Sequence, residues 1–185
     1  MNVRRFIVAQ SLIMAAGSII FPFYLLLIKN VGDNYAQFGW AYGLFTLTAA
    51  FAYPLIGRIG DRIGDQKLLL IYTWSMAVLM LVIPLITAVW QVYLIQIAMG
   101  ILGAVQKNTE KSVLVRDVKK ETAGKLIGTY HFKVSLWSAV GIILTGYLID
   151  FLTIACLFYL TSILYIISSF VVWRDGGTGS SSQFE

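Results

Sequence analysis

Few side chains in this sequence could do chemistry, and those few are widely spaced. There is one histidine, His131, and one cysteine, Cys156. A lone histidine cannot build a multi-histidine metal site, and a lone cysteine can form neither an intrachain disulfide nor a multi-thiolate site. No Gly-x-Ser-x-Gly nucleophile elbow occurs. The chain therefore reads as a non-enzyme with no metal and no cofactor. What remains is a set of polar groups at helical spacing. Tyr93, Gln96, Gly100, Gly103, Lys107 and Glu110 recur at steps of three and four, which puts them on one stripe. That stripe is either the wall of a polar pathway or a groove for a packed helix, with Lys107 and Glu110 paired at i, i+3. Gln10, Gly17, Phe21 and Tyr24 repeat the spacing in a less polar form. His131, Ser135, Ser138 and Thr145 share one side of another helix, while Lys133 lies about 200° from His131, beside Tyr130 and Trp137.

The elements that must position these groups follow from composition. Of 185 residues, 58% are hydrophobic and only 12% charged, with a mean hydropathy of +0.79. Soluble domains hold roughly 45–50% and about 25%, so the solvent of this chain is lipid. Six continuous apolar runs are long enough to span a bilayer, at about 6–28, 36–57, 68–89, 90–110, 124–149 and 151–173. They contain all three prolines, Pro22, Pro54 and Pro84, which membrane helices tolerate. The first run follows Arg4 and Arg5 but is too long for a signal peptide and reads as helix 1. The expected fold is an all-α, polytopic membrane domain over residues 1–175. Residues 176–185, beginning Gly176-Gly177-Thr178-Gly179, have the composition of a flexible linker, read as a cloning remnant without function.

Basic residues set the orientation. With the N-terminus inside, every Lys and Arg except Lys29 and Lys133 falls on the cytoplasmic side. The bias places both termini in the cytoplasm of a cell whose inner membrane the chain crosses. The net charge of +5 is then explained by an anionic leaflet, and nucleic acid is not needed as a partner. Inside the spans, Lys133 either snorkels to the headgroups or meets an anionic solute. His131 either satisfies an interhelical hydrogen bond or serves a solute or proton.

The sharpest motif joins helices 2 and 3: Gly57-Arg58-Ile59-Gly60-Asp61-Arg62-Ile63-Gly64-Asp65-Gln66-Lys67. It resembles the cytoplasmic signature of the major facilitator superfamily, Gly-x-x-x-Asp-Arg-x-Gly followed by basic residues, and it lies where that family carries it. Gly57, Asp61, Arg62 and Gly64 match; Asp65 and Gln66 depart from the basic residues the family prefers. Weaker echoes extend over residues 1–173. Gln96 stands where the family often has an arginine tied to proton coupling, and helix 5 lacks the Gly-Pro pair of many antiporters. Gly57-x-x-x-Asp61 and Gly146-x-x-x-Asp150 end helices 2 and 5, as two three-helix repeats of inverted topology would arrange them.

The resemblance implies twelve helices in two halves, with solute held between them at mid-membrane. This chain has six, so either two copies pair as a homodimer or the sequence is one half of a longer transporter. A membrane scaffold or sensor built on a transporter half is the non-transporting alternative. The resemblance implies alternating access of a small organic solute, with Gln10, Gln96, Lys107, Glu110, His131, Lys133 and Trp137 along its pathway. Gly57, Asp61, Arg62 and Gly64 are then a cytoplasmic gate. Paired copies of Lys133 tilt the expected solute toward an organic anion.

Overall fold

The computed structural model describes the backbone of residues 3–31, 35–116 and 123–176, and their side chains except 21–31, 175 and 176. The expectations placed on Phe21, Tyr24, Lys29 and the tail from Gly177 therefore lie outside the described residues. Six helices make up the fold: α1 (Val3–Val31), α2 (Tyr35–Ile63), α3 (Asp65–Val82), α4 (Val89–Arg116), α5 (Ala123–Leu148) and α6 (Ile154–Gly176). Five of them are apolar and long enough to cross a membrane. The sixth, α2, is as long as α1, but Tyr, Gln, Gly and Thr lower its hydropathy.

Hydrogen bonds at one end of the bundle show that α2 must also cross. Arg5 Nη1 donates to the Arg174 carbonyl at 3.1 Å, which sets the start of α1 beside the end of α6. Gln66 Nε2 donates to the Val172 carbonyl at 2.8 Å, which brings the start of α3 to the same face. Since α1 and α3 start on one side, α2 has to return the chain. Both described ends of the chain, near Val3 and Arg174, share that face. The protein is a multi-pass membrane protein.

Element boundaries follow local chemistry. Pro84 has no N–H to continue the ladder, so α3 stops at Val82 and a 3-10 turn, Ile83–Leu85, replaces the expected run to residue 89. Gln91 Oε1 accepts from the Thr87 and Ala88 N–H groups at 2.9 and 3.0 Å and secures the entry to α4. Thr153 precedes α6, and its Oγ1 accepts from Cys156 N–H at 3.4 Å, an N-cap that moves the helix start from residue 151 to 154.

The packing is paired. α1 lies on α5 and α6, α4 lies on α2 and α3, and α3 lies on α6, whereas α1 and α4 touch only briefly. Exchanging α1, α2 and α3 for α4, α5 and α6 reproduces that same set of contacts. Two three-helix units with opposite directions across the membrane give this pattern. Small residues make the close seams: a Cβ on Gly100 of α4 would sit 2.5 Å from the Phe45 carbonyl of α2, and one on Gly141 of α5 would sit 3.1 Å from the Ala15 carbonyl of α1. Ser162 Oγ donates to the Ala77 carbonyl at 2.8 Å and Ser168 Oγ to the Ala9 carbonyl at 3.1 Å, fastening α6 to α3 and α1.

Candidate functional site

The weakly packed seam between α1 and α4 carries a cluster of longer polar side chains. Gln106 of α4 donates through Nε2 to Gln10 Oε1 of α1 at 3.2 Å and to Glu110 Oε2 at 3.5 Å, and its Nε2 lies 3.9 Å from Met14 Sδ. Gln10 is fully buried, Gln106 is buried, and Glu110 is half-buried. Tyr130 of α5 closes the cluster. Its ring stacks on Phe6 of α1 with centroids 5.9 Å apart, and its hydroxyl stands within electrostatic reach of Glu110 but outside hydrogen-bond geometry. The Gln10 amide nitrogen and the Tyr130 hydroxyl, both buried, have no hydrogen-bond partner. Glu110 is six residues from the end of α4 and Tyr130 seven from the start of α5, so all these groups sit about 10 Å inside the basic face.

The other expected pathway residues are placed differently. Gly100 and Gly103 face Phe45 of α2, so this part of the α4 stripe is a helix-packing seam. Gln96 is buried near that seam. Lys107 is exposed and makes no ion pair with Glu110, whose carboxylate takes Gln106 instead. Gly17 lies beside the Tyr165 hydroxyl of α6. On α5, the residues buried against α1 are Tyr130, Val134, Gly141 and Thr145. His131 and Lys133 are exposed on opposite flanks of that stripe, and Trp137 is exposed one turn beyond Lys133. The structure thus joins Gln10 to Glu110 through Gln106 and leaves His131, Lys133 and Trp137 on the surface of α5. Gln106 was missed in the sequence. Its signal was an amide one turn before the carboxylate, in the polar stretch Gln106–Ser112 that ends the apolar part of α4.

The motif between α2 and α3 is not a loop. α2 continues through Gly57, Asp61 and Arg62 to Ile63, and Gly64 is the single residue outside a helix. Gly64 has φ +90, a conformation that needs glycine. Asp61 and Arg62 are exposed, and among the described residues nothing beyond its own helix lies within 4 Å of a Cβ built on Gly57. The two positions that depart from the family signature are fully engaged. Asp65 Oδ2 pairs with Arg116 Nη1 at 3.1 Å, and Gln66 holds Val172. A cleft of about 240 Å³ opens beside them, lined by Gly64, Asp65, Gln66, Lys67, Val113 and Arg116.

A family model, the Major Facilitator Superfamily, matches residues 6–182. The chain belongs to that superfamily. Within the superfamily it is 45% identical over 161 residues to the uncharacterized MFS-type transporter YitZ of Bacillus subtilis strain 168, a match covering 87% of this chain and 98% of that one. It is 29% identical over 164 residues to the multidrug resistance protein MdtG of Dickeya zeae, covering 86% of this chain and 40% of MdtG. It is 27% identical over 169 residues to the uncharacterized MFS-type transporter YuxJ of Bacillus subtilis, covering 89% of this chain and 43% of YuxJ. The chain thus matches YitZ end to end but spans about two fifths of MdtG and YuxJ. Membership of this family points to a transporter, in line with the reading of the sequence.

Proposed function

We propose that two copies of this six-helix unit face each other as the halves of a transporter and carry a small organic solute by alternating access. The observation that carries the reading is the half-buried Glu110 at the thinly packed α1–α4 seam. A carboxylate turned toward hydrocarbon is costly, so protein or water must cover it. A second copy related by a twofold axis along the membrane normal would cover both seams and enclose the polar clusters between them. The end-to-end match to YitZ supports a half-size unit. The exposed apolar faces of α2 and α5, which each pack on one main neighbour, supply the flanking contact surface. The basic face is cytoplasmic in this reading, with both termini there. Lys133 is the group that would favour an organic anion.

Crosslinking in native membranes, mass measurement in nanodiscs and uptake of a solute panel test the proposal together. A dimer with saturable uptake is expected. Monomer by both mass methods would remove the homodimer and leave a longer two-half chain, whereas a dimer without saturable uptake would favour a scaffold or sensor.

A further inference from the structure

Two hollows lie along the crevice between α3 and α4, and their chemistry differs. At the basic face is the cleft of about 240 Å³ that Asp65, Gln66, Lys67 and Arg116 line. Deeper lies a groove of about 530 Å³ with mainly apolar walls, among them Trp74, Val78, Ala98, Ile101 and Leu102. The two are continuous. Lys67, Ile71, Trp74 and Val78 recur at steps of four, three and four, and all are exposed, so one open stripe of α3 joins cleft to groove. On α4, Arg116 and Ala98 are five full turns apart and share a side. Trp74 lies about 10 Å and Leu79 about 18 Å from Lys67 along α3. A leaflet with its headgroups is roughly 20–22 Å deep, so both hollows belong to one leaflet. Arg116 pairs with Asp65 at 3.1 Å and its Nη2 donates to Ser112 Oγ at 3.4 Å. Lys67 has no partner among the described residues, so the cleft carries one uncompensated positive charge. Gly64 gives α3 no side-chain cap, and the first-turn N–H groups beside the cleft add to that potential.

We propose that this crevice binds one anionic phospholipid from the leaflet at the basic face. Its phosphate sits in the cleft beside Lys67 and Arg116, and one acyl chain lies in the groove against Trp74. A phosphodiester supplies the single negative charge that the cleft lacks, whereas a zwitterionic headgroup brings a cation that Lys67 repels. The groove makes the occupant a lipid. A soluble anion would fill the cleft and leave the groove untouched, and a docked peptide would have to satisfy its backbone within hydrocarbon. Pairing of two halves would cover the α1–α4 seam with α2 and α5 at its flanks, which leaves this crevice open to lipid. The cleft is built at Asp65 and Gln66, where the chain departs from the family signature. A lipid held there tethers the start of α3 to the end of α4, beside the one-residue joint at Gly64.

Tryptophan quenching reads the site and needs neither a dimer nor transport. Trp40, Trp90, Trp137 and Trp173 are exposed, so their replacement by phenylalanine leaves the core intact and Trp74 as the reporter. A companion variant keeps only Trp173, near the same face on α6, and reports the general attraction of that face for anionic lipid. Each is placed in phosphatidylcholine nanodiscs holding a small fraction of acyl-brominated phosphatidylglycerol or acyl-brominated phosphatidylcholine. Preferential quenching by the brominated phosphatidylglycerol should be greater at Trp74 than at Trp173, and Lys67→Gln should reduce it about fivefold at Trp74. Equal preference at the two tryptophans overturns the site, and undiminished preference in Lys67→Gln overturns the placing of the headgroup. Ala98→Leu narrows the groove without touching a charge and should lower the quenching of Trp74; unchanged quenching overturns the placing of the chain. Soluble glycerol phosphate should leave the quenching as it is, and its reversal would make the occupant a free anion and overturn the lipid.

Discussion

Replacing Gly100 with alanine tests whether the α2–α4 seam is a contact that glycine makes possible. The added Cβ would stand 2.5 Å from the Phe45 carbonyl oxygen, 3.1 Å from Thr48 Cβ and 3.2 Å from the Ala49 nitrogen. Ordinary carbon–oxygen contacts sit near 3.3–3.6 Å, so α2 has to withdraw by roughly 0.8 Å. Two of the three blocking atoms are backbone, so no side-chain rotation relieves the clash. A gap of about that size forfeits a quarter to a half of the dispersion attraction along the seam, and overpacking of this kind costs about 1–3 kcal/mol. Alanine also favours the helix over glycine by up to about 1 kcal/mol, which masks part of the effect. Gly43→Ala on α2 supplies the reference, because among the described residues nothing beyond its own helix lies within 4 Å of its Cβ and it gains the same propensity. The difference between the two variants, read from unfolding in mixed micelles by tryptophan fluorescence, should be about 1–3 kcal/mol against Gly100→Ala. Equal stability of the two alanine variants would refute the close-seam argument.

Arg116→Ala strands the buried Asp65 and should destabilise by about 1–3 kcal/mol, reduced by the exposure of Arg116; Asp65→Asn added to it should restore much of the loss in the same assay. With Cys156 changed to serine, cysteines at 61 and 123 should crosslink between chains, since Asp61 is exposed at the end of α2 and a partner's α5 start offers the positive end of a helix dipole. Crosslinks confined to one chain would count against that gate. Asp61→Asn should shift the population toward the cytoplasm-open form, seen as greater cysteine accessibility at the basic face. Lys133→Ala should weaken uptake of anionic solutes more than neutral ones, and equal loss of both would return Lys133 to snorkelling.

Hydropathy runs made the six helices legible, and the Gly57–Lys67 motif made the family legible. Both depend on local pattern, which a sequence carries directly. Two boundaries shifted for local reasons that were also written in the sequence, Pro84 and Thr153. Helix faces were harder to read. The α4 stripe was visible as a stripe, but its occupant was not, because Gly100 and Gly103 would serve a pathway or a packed helix equally well. The bond from Gln106 to Gln10 spans 96 residues, and no periodicity within one helix announces a partner on another. Asp65 and Gln66 looked like defects in a basic motif. Their purpose showed only when Arg116 and Val172 were brought beside them.

The pairing of helices also sets the order in which the chain can assemble. α4 finds α2 and α3 already made, but the main partners of α1 are α5 and α6, the last helices to leave the ribosome. At about 5–20 residues per second, the first helix waits on the order of ten seconds in the bilayer for its first main neighbour. Gln10 spends that interval with no Gln106 until α4 arrives, and Ala9 with no Ser168 until the end. Biogenesis of this protein is therefore most exposed at its N-terminus, where a holding chaperone or the insertion machinery has the longest work to do.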